Sequence, residues 1–221
     1  MKVYGHPWSI NTRKVLVTLA EKNLEAELVL VDLPRGGQHA PEHVARHPFA
    51  KAPVLEDGDL MIYESNAIMR YLDRKGGKTQ LTPQSPRDAA LMDQWISIGQ
   101  SYFGEAAHAL LVEAIFKRVR QFGEPDTVRI AQLCSELERP LGVMERRLRT
   151  SAYLAGESFS LADITFMPHF EYADRLAVGR KLIAAHECVT DWWERVSARP
   201  SWQRVGRSGE QPPIGADLMA A

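Results

Sequence analysis

The stretch "APVLEDGDLMIYE" (Ala52–Glu64) decides the fold. Two short apolar runs flank Asp57-Gly58, a dipeptide suited to the tight turn of a β-hairpin. Downstream, "ESNAIMRYLDRK" has apolar residues at 67, 68, 71 and 72, the spacing of a helix. Upstream, "KVYG" is a short strand candidate. "TRKVLVTLAEKN" has apolar residues at 15, 16, 19 and 20 and reads as a helix. "AELVLVDL" is a continuous apolar run, as in a strand covered on both faces. A loop rich in Gly, His and Pro separates it from the hairpin.

The order is therefore β-α-β-loop-β-β-α. Two strands around a helix make a right-handed parallel βαβ unit, and the hairpin adds antiparallel strands to the same sheet. This predicts a thioredoxin-like domain with a mixed four-stranded sheet over residues 1–76. "GGKTQLTPQSP" ends in a linker, 77–86, by its turn-rich composition. No strand is expected beyond it. Four amphipathic stretches predict an all-helical domain over 87–207, with a kink at Pro140 and a last helix stopping at Pro200. Residues 208–221 read as an extended tail. The fold class is α/β plus all-α.

Composition excludes several functions. Of 221 residues, 45% are hydrophobic, enough for sizeable cores, and the formal net charge is −1. Without excess Lys or Arg, neither nucleic acid nor an anionic membrane is an expected partner. There is no run of 18 apolar residues and no signal-like apolar segment after Met1, so a soluble, cytoplasmic protein is expected. Cys134 and Cys188 do not make a disulfide framework and read as packed thiols.

Four short motifs carry candidate chemistry. In "GHPWSIN", Ser9 is either the N-cap of the first helix or a hydroxyl that meets a ligand; Asn11 competes for the cap. A hydroxyl at a helix N-terminus can donate to an anion, helped by the helix dipole. In "KAPVLEDG", a cis Ala52-Pro53 bond would leave the Ala52 N–H and C=O free for a ligand; a trans strand-start proline is the alternative. In "YESNAI", Glu64 can accept an ammonium group, and the amides at the helix start, with Ser65 as cap, can take a carboxylate. Together they suit the α-amino acid end of a small molecule. "HAPEH" (His39–His43) matches H-x-x-E-H, but Pro41 within it argues for a polar loop rather than a zinc site, so no metal is expected. Ser160 and Asp163 in "SFSLADITF" form a capping box, with Phe159 and Ile164 placed as a staple.

These motifs in order resemble the cytosolic glutathione S-transferases, and nearest the serine-type, phi-like enzymes, whose catalytic serine lies two residues after a proline as Ser9 follows Pro7. "SARPSW" also resembles the family's C-terminal ending. The resemblance implies conjugation of the glutathione thiolate to small hydrophobic electrophiles, detoxification as the setting, glutathione as co-substrate with no other cofactor, and a homodimer. It makes Ser9 the catalytic hydroxyl. Ala52, ahead of cis-Pro53, would pair its backbone with the cysteinyl unit, and Glu64 and Ser65 would hold the γ-glutamyl end. Lys51 stands where the family often has Gln, and His39 aligns with a basic position that meets the glycine carboxylate; the usual basic pair reads Gln38-His39 here. Trp8, Phe103, His108, Leu111 and Phe116 are candidates for an apolar electrophile pocket, though they also read as core. A peroxidase or dehalogenase on the same fold, or a non-catalytic dimerisation module, are the alternatives.

Overall fold

The computed structural model describes residues 1–206. The expected tail, 208–221, lies outside them. The chain divides into two compact units: residues 1–81 with α11 (Pro200–Gly206), and residues 82–199.

The first unit is built on β1 (Lys2–Gly5), β2 (Glu27–Leu30), β3 (Val54–Asp57) and β4 (Leu60–Tyr63), in sheet order β2-β1-β3-β4. The β1–β2 pair is parallel and the other two are antiparallel. Helix α1 (Ile10–Lys22) crosses from β1 to β2, and α3 (Ser65–Lys75) follows β4. Alternation along the strands sends Val3 and Leu55 to one face, where they pack with Val15 and Leu19 of α1 and Ile68 and Leu72 of α3. Each such side chain contributes roughly 1.5–3 kcal/mol by burial. Tyr4 and Val54 point to the opposite face, with Val31. The loop between β2 and β3 holds 3-10 turns at Leu33–Arg35 and Gly37–His39 and a one-turn helix, α2 (Pro41–Val44).

A buried ion pair ties the end of this unit together. Lys22 Nζ lies 2.8 Å from Asp73 Oδ1, both almost wholly buried. The same ammonium donates to the Thr79 carbonyl, and Asp73 accepts from Leu81 N at 3.0 Å.

The second unit is helical: α4 (Pro86–Ile98), α5 (Gly104–Leu111), α6 (Lys117–Val119), α7 (Thr127–Leu148), α8 (Leu161–Arg175), α9 (Ala177–Ala184) and α10 (Glu187–Ser197). Wide π-turns at Gly99–Phe103 and Val112–Phe116 join α4, α5 and α6. The first ten residues of α8 are all buried. Its start is the expected capping box, and Asp163 Oδ1 also accepts from Leu154 N at 3.0 Å and Trp192 Nε1 at 2.9 Å.

Helix α7 runs through Pro140 as one element. The helix expected to stop at Pro200 is α10, which ends at Ser197, and Pro200 is the first residue of α11, where its missing N–H costs nothing. Although the sequence placed residues up to 207 in the helical domain, α11 packs on α1 in the first unit, and the Ser201 hydroxyl donates to the Glu21 carboxylate.

Candidate active site

The register Tyr4↔Val54↔Tyr63 fixes where chemistry can gather. It brings the end of β1, the start of β3 and the end of β4 to one edge of the sheet. The segments leaving that edge carry Ser9, Ala52 and Glu64.

Ser9 is the N-cap of α1: its Oγ accepts from Thr12 N at 3.3 Å, and Ile10 is the first helical residue. Asn11 therefore lies inside the helix and is not the cap. The turn before Ser9 is pinned several times. Ser9 N donates to His6 O at 2.9 Å, and Trp8 N donates to His6 Nδ1 at 3.1 Å. The fully buried Arg13 donates from Nε to Pro7 O at 2.7 Å. Burial pushes the His6 imidazole below its ordinary pKa, which suits the neutral ring this acceptor role requires. Gly5 is needed here, because a Cβ would stand 2.5 Å from Thr12 Oγ1.

Capping and ligand binding use different parts of the Ser9 hydroxyl. The cap uses an oxygen lone pair, while the O–H hydrogen finds no acceptor among the described residues. A half-buried hydroxyl with a spare donor thus stands at the positive end of a 13-residue helix whose first turn has no acid.

The Ala52-Pro53 bond is cis. Ala52 N–H and C=O have no partner among the described residues, whereas Val54 already joins the sheet. Glu64 has φ 72° and ψ 110°, a left-handed backbone that costs a non-glycine residue about 1–3 kcal/mol. It occupies the N-cap position of α3 without a capping side-chain bond, so Ser65 is the first helical residue and not the cap that the sequence suggested. The buried Ser65 hydroxyl donates to Asn11 Oδ1 at 3.4 Å, joining the N-termini of α3 and α1. Sequence reasoning considered Asn11 only as a cap.

Lys51 is exposed next to Ala52. His39 is exposed at the end of its 3-10 turn, and no contact among the described residues ties it to Ser9, Ala52 or Glu64. His43, the last residue of the H-x-x-E-H match, and His47, not singled out in the sequence, are both buried; their i, i+4 spacing was the available signal. His43 Nε2 meets Lys51 O at 2.7 Å, and the His47 ring packs on Tyr63 at 4.7 Å between centroids.

The pocket candidates divide. Trp8 is half-buried edge-on to His6. Phe103 and Leu111 are buried in the helical unit, at 4% and 1% exposure, as the core reading of these residues expects. Phe103 stacks on Phe170 at 5.5 Å, and both candidates line a small apolar cavity of about 20 Å³ with Leu137, His169 and Ile183. Phe116 is half-buried against Tyr172, and His108 is exposed on α5.

Comparison with known proteins agrees with this geometry. Residues 1–74 match the family "Glutathione S-transferase, N-terminal domain" and residues 105–200 match "Glutathione S-transferase, C-terminal domain". The chain belongs to the glutathione S-transferase family of enzymes. Its relatives place it beside the phi-class, or F-type, members. It is 35% identical over 208 residues to glutathione S-transferase F11 of Arabidopsis thaliana, covering 93% of this chain and 96% of the relative. It is 35% identical to glutathione S-transferase hmp2 of Hypomyces subiculosus, covering 91% and 95%. The crystal structure of glutathione transferase F7 from Populus trichocarpa superposes with a TM-score of 0.88 at 32% identity, covering 93% and 97%. Maize glutathione S-transferase I, in complex with an atrazine glutathione conjugate, gives a TM-score of 0.85 at 29% identity, covering 94% and 99%. Among the described residues no helix is long and apolar enough to cross a membrane.

Proposed function

We propose that this protein binds glutathione at the edge of its first unit and conjugates the thiolate to small hydrophobic electrophiles. The observation that carries the reading is the Ser9 hydroxyl, which caps α1 through its oxygen and keeps its hydrogen to donate. A free thiol has a pKa near 8.5, so only a few per cent is thiolate at neutral pH. A donated hydrogen bond plus the helix dipole lowers that by about two units, roughly 2.7 kcal/mol. The thiol proton leaves to solvent. The sulfur lone pair then attacks an electrophilic carbon, and with an aryl halide a C–S bond forms as halide departs with its electron pair.

The remaining groups hold the tripeptide. Ala52 N–H and C=O pair with the cysteinyl C=O and N–H. Glu64 accepts the γ-glutamyl ammonium, while the Ser65 N–H at the start of α3 and the Ser65 hydroxyl, turned from Asn11, take its carboxylate. Lys51 and His39 supply positive charge for the glycine carboxylate. Glutathione is the only co-substrate in this reading, and the setting is cytoplasmic detoxification.

The active form in this reading is a homodimer, with Phe49 entering the partner copy. Phe49 is 67% exposed, with His47 and Tyr63 at its base, and so is available to a partner. The functional test is retention on immobilised glutathione followed by conjugation of an aryl chloride. Retention with measurable turnover supports the enzyme reading; no retention and no turnover defeats it.

A further inference from the structure

His43 reaches from α2 to the loop that carries Ala52. Its Nε2 lies 2.7 Å from the Lys51 carbonyl oxygen, and the residue is 3% exposed. The carbonyl can only accept, so Nε2 donates. Nδ1 is buried and has no partner. The contact to Lys51 is thus the ring's own hydrogen bond, and the imidazole is committed to one peptide group.

That peptide group joins Lys51 to Ala52. It is trans, since the cis bond is the next one along. In a trans peptide the C=O and the N–H point in opposite directions across one rigid plane. Turning the Lys51 oxygen toward His43 therefore aims the Ala52 N–H away from α2. The neighbouring backbone closes the circuit: His47 N donates to His43 O, and Ala50 N to His47 O, each at 2.8 Å. Ala50 turns the chain with φ 50°. The His47 ring rests on Tyr63, the residue before Glu64.

We infer that His43 is a positioning residue for glutathione, which sets the plane of the Lys51–Ala52 peptide and so presents the Ala52 N–H to the cysteinyl carbonyl. The inference rests on the glutathione reading above. It assigns the work at position 51 to the main-chain carbonyl as well as to the exposed ammonium.

The test uses the full chain with His43→Leu, His43→Asn and His43→Gln. The Gln amide nitrogen reaches the place of Nε2, and the shorter Asn does not. Melting temperature, calorimetric affinity for glutathione, KM and kcat are measured for each. The Leu and Asn variants should bind glutathione about tenfold more weakly, the order expected for one misaimed hydrogen bond, with kcat at saturating glutathione and the titration of the bound thiol unchanged. The Gln variant should return to within about twofold of wild type. If the Leu variant does not fold, the Asn–Gln pair decides. Wild-type affinity in the Leu or Asn variant overturns the inference, and so does a Gln variant as weak as Asn. A wild-type protein that binds no glutathione overturns the functional reading, and this inference with it.

Discussion

Replacing Ser9 by Ala separates the two uses of one hydroxyl. The cap bond to Thr12 N is long, at 3.3 Å, so its loss should cost about 0.5–1 kcal/mol. That lowers the melting temperature by only a few degrees, roughly 1–4 °C for a chain of this size. The chemical effect is larger and depends on pH. If the bound thiol titrates near 6.5 in the wild type and returns to about 8.5 in the variant, the thiolate population at pH 6.5 falls about fifty-fold. At pH 9 the same shift changes the population by less than about twofold. A less basic thiolate is intrinsically slower, with a Brønsted slope of about 0.4–0.5, which offsets part of the difference. The conjugation defect should therefore be about 5- to 50-fold at pH 6.5 and should be gone by pH 9, where the more basic thiolate makes the variant as fast as wild type or up to about sixfold faster. The assay is initial rate with an aryl chloride at saturating glutathione from pH 6 to 9, together with thiolate absorbance of the bound tripeptide. A defect of constant size across that range, or an unmoved absorbance titration, would refute the donated hydrogen bond and leave Ser9 as a cap alone.

Glu64→Gly relieves the left-handed backbone but removes the carboxylate, so glutathione KM should rise while stability holds or increases by up to about 1 kcal/mol; lower stability in urea unfolding contradicts the strain argument. Ser65→Ala should raise KM more than it changes kcat, because it acts far from the sulfur, and steady-state kinetics that show the reverse sink the assignment. Lys14 is 5% exposed, and burial pushes its ammonium down to about 8, a cost of roughly 3 kcal/mol that is complete below pH 8 and fades as pH rises toward its ordinary value. Lys14→Met should therefore be more stable than wild type at pH 7, with the gap in melting temperature closing between pH 8 and 10; a gap that does not close contradicts the burial. Lys22→Met strands Asp73 without its cation and should cost about 3–5 kcal/mol by urea unfolding, whereas an indifferent variant would mean the pair is solvated. Light scattering should report about twice the 24.8 kDa chain mass, and Phe49→Ala should loosen the dimer without lowering monomer stability; a wild-type monomer at micromolar concentration ends that proposal.

Local chemistry explains which elements could be read in advance. The β3–β4 hairpin follows from the turn signal at Gly58, although the two turn residues are Gly58-Asp59, with Asp57 still paired to Leu60 in the sheet. The period of α1 and the box from Ser160 to Asp163 are as direct, because each is set by neighbours within one or two turns. The elements that escaped depend on distant partners. Helix α2 is one turn long and starts on a proline. Helix α9 contains Gly179, which looks like a breaker in sequence; in the fold a Cβ there would stand 2.1 Å from Ala173 O, so only glycine allows the approach. Helix α11 begins on the proline that stops the helix expected before it. At the site, Ser9, Ala52 and Glu64 were legible because each sits at a strand–helix or loop–strand junction. His43 was not, since its role exists only once Lys51 has folded back on it. Phe103 and Leu111 carry apolar side chains at helical spacing, a pattern that core and ligand wall share, so sequence alone does not separate the two.

The excursion of the chain has a consequence for its synthesis. The polypeptide leaves the first unit at Leu81 and comes back to it at Pro200, to lay α11 along α1. A ribosome therefore releases the sheet and its two long helices well before it makes the segment that covers α1. Until then the nascent first unit exposes the α1 face that α11, with its buried Trp202 and Val205, later covers. One protease cut in the segment around 82–86 would not free that unit as a fragment complete in sequence, because a second cut before Pro200 is needed to leave it with α11. Its thermodynamic boundary is set by both ends of the chain, so a gene truncated after Leu81 encodes a sheet domain that lacks one of its walls.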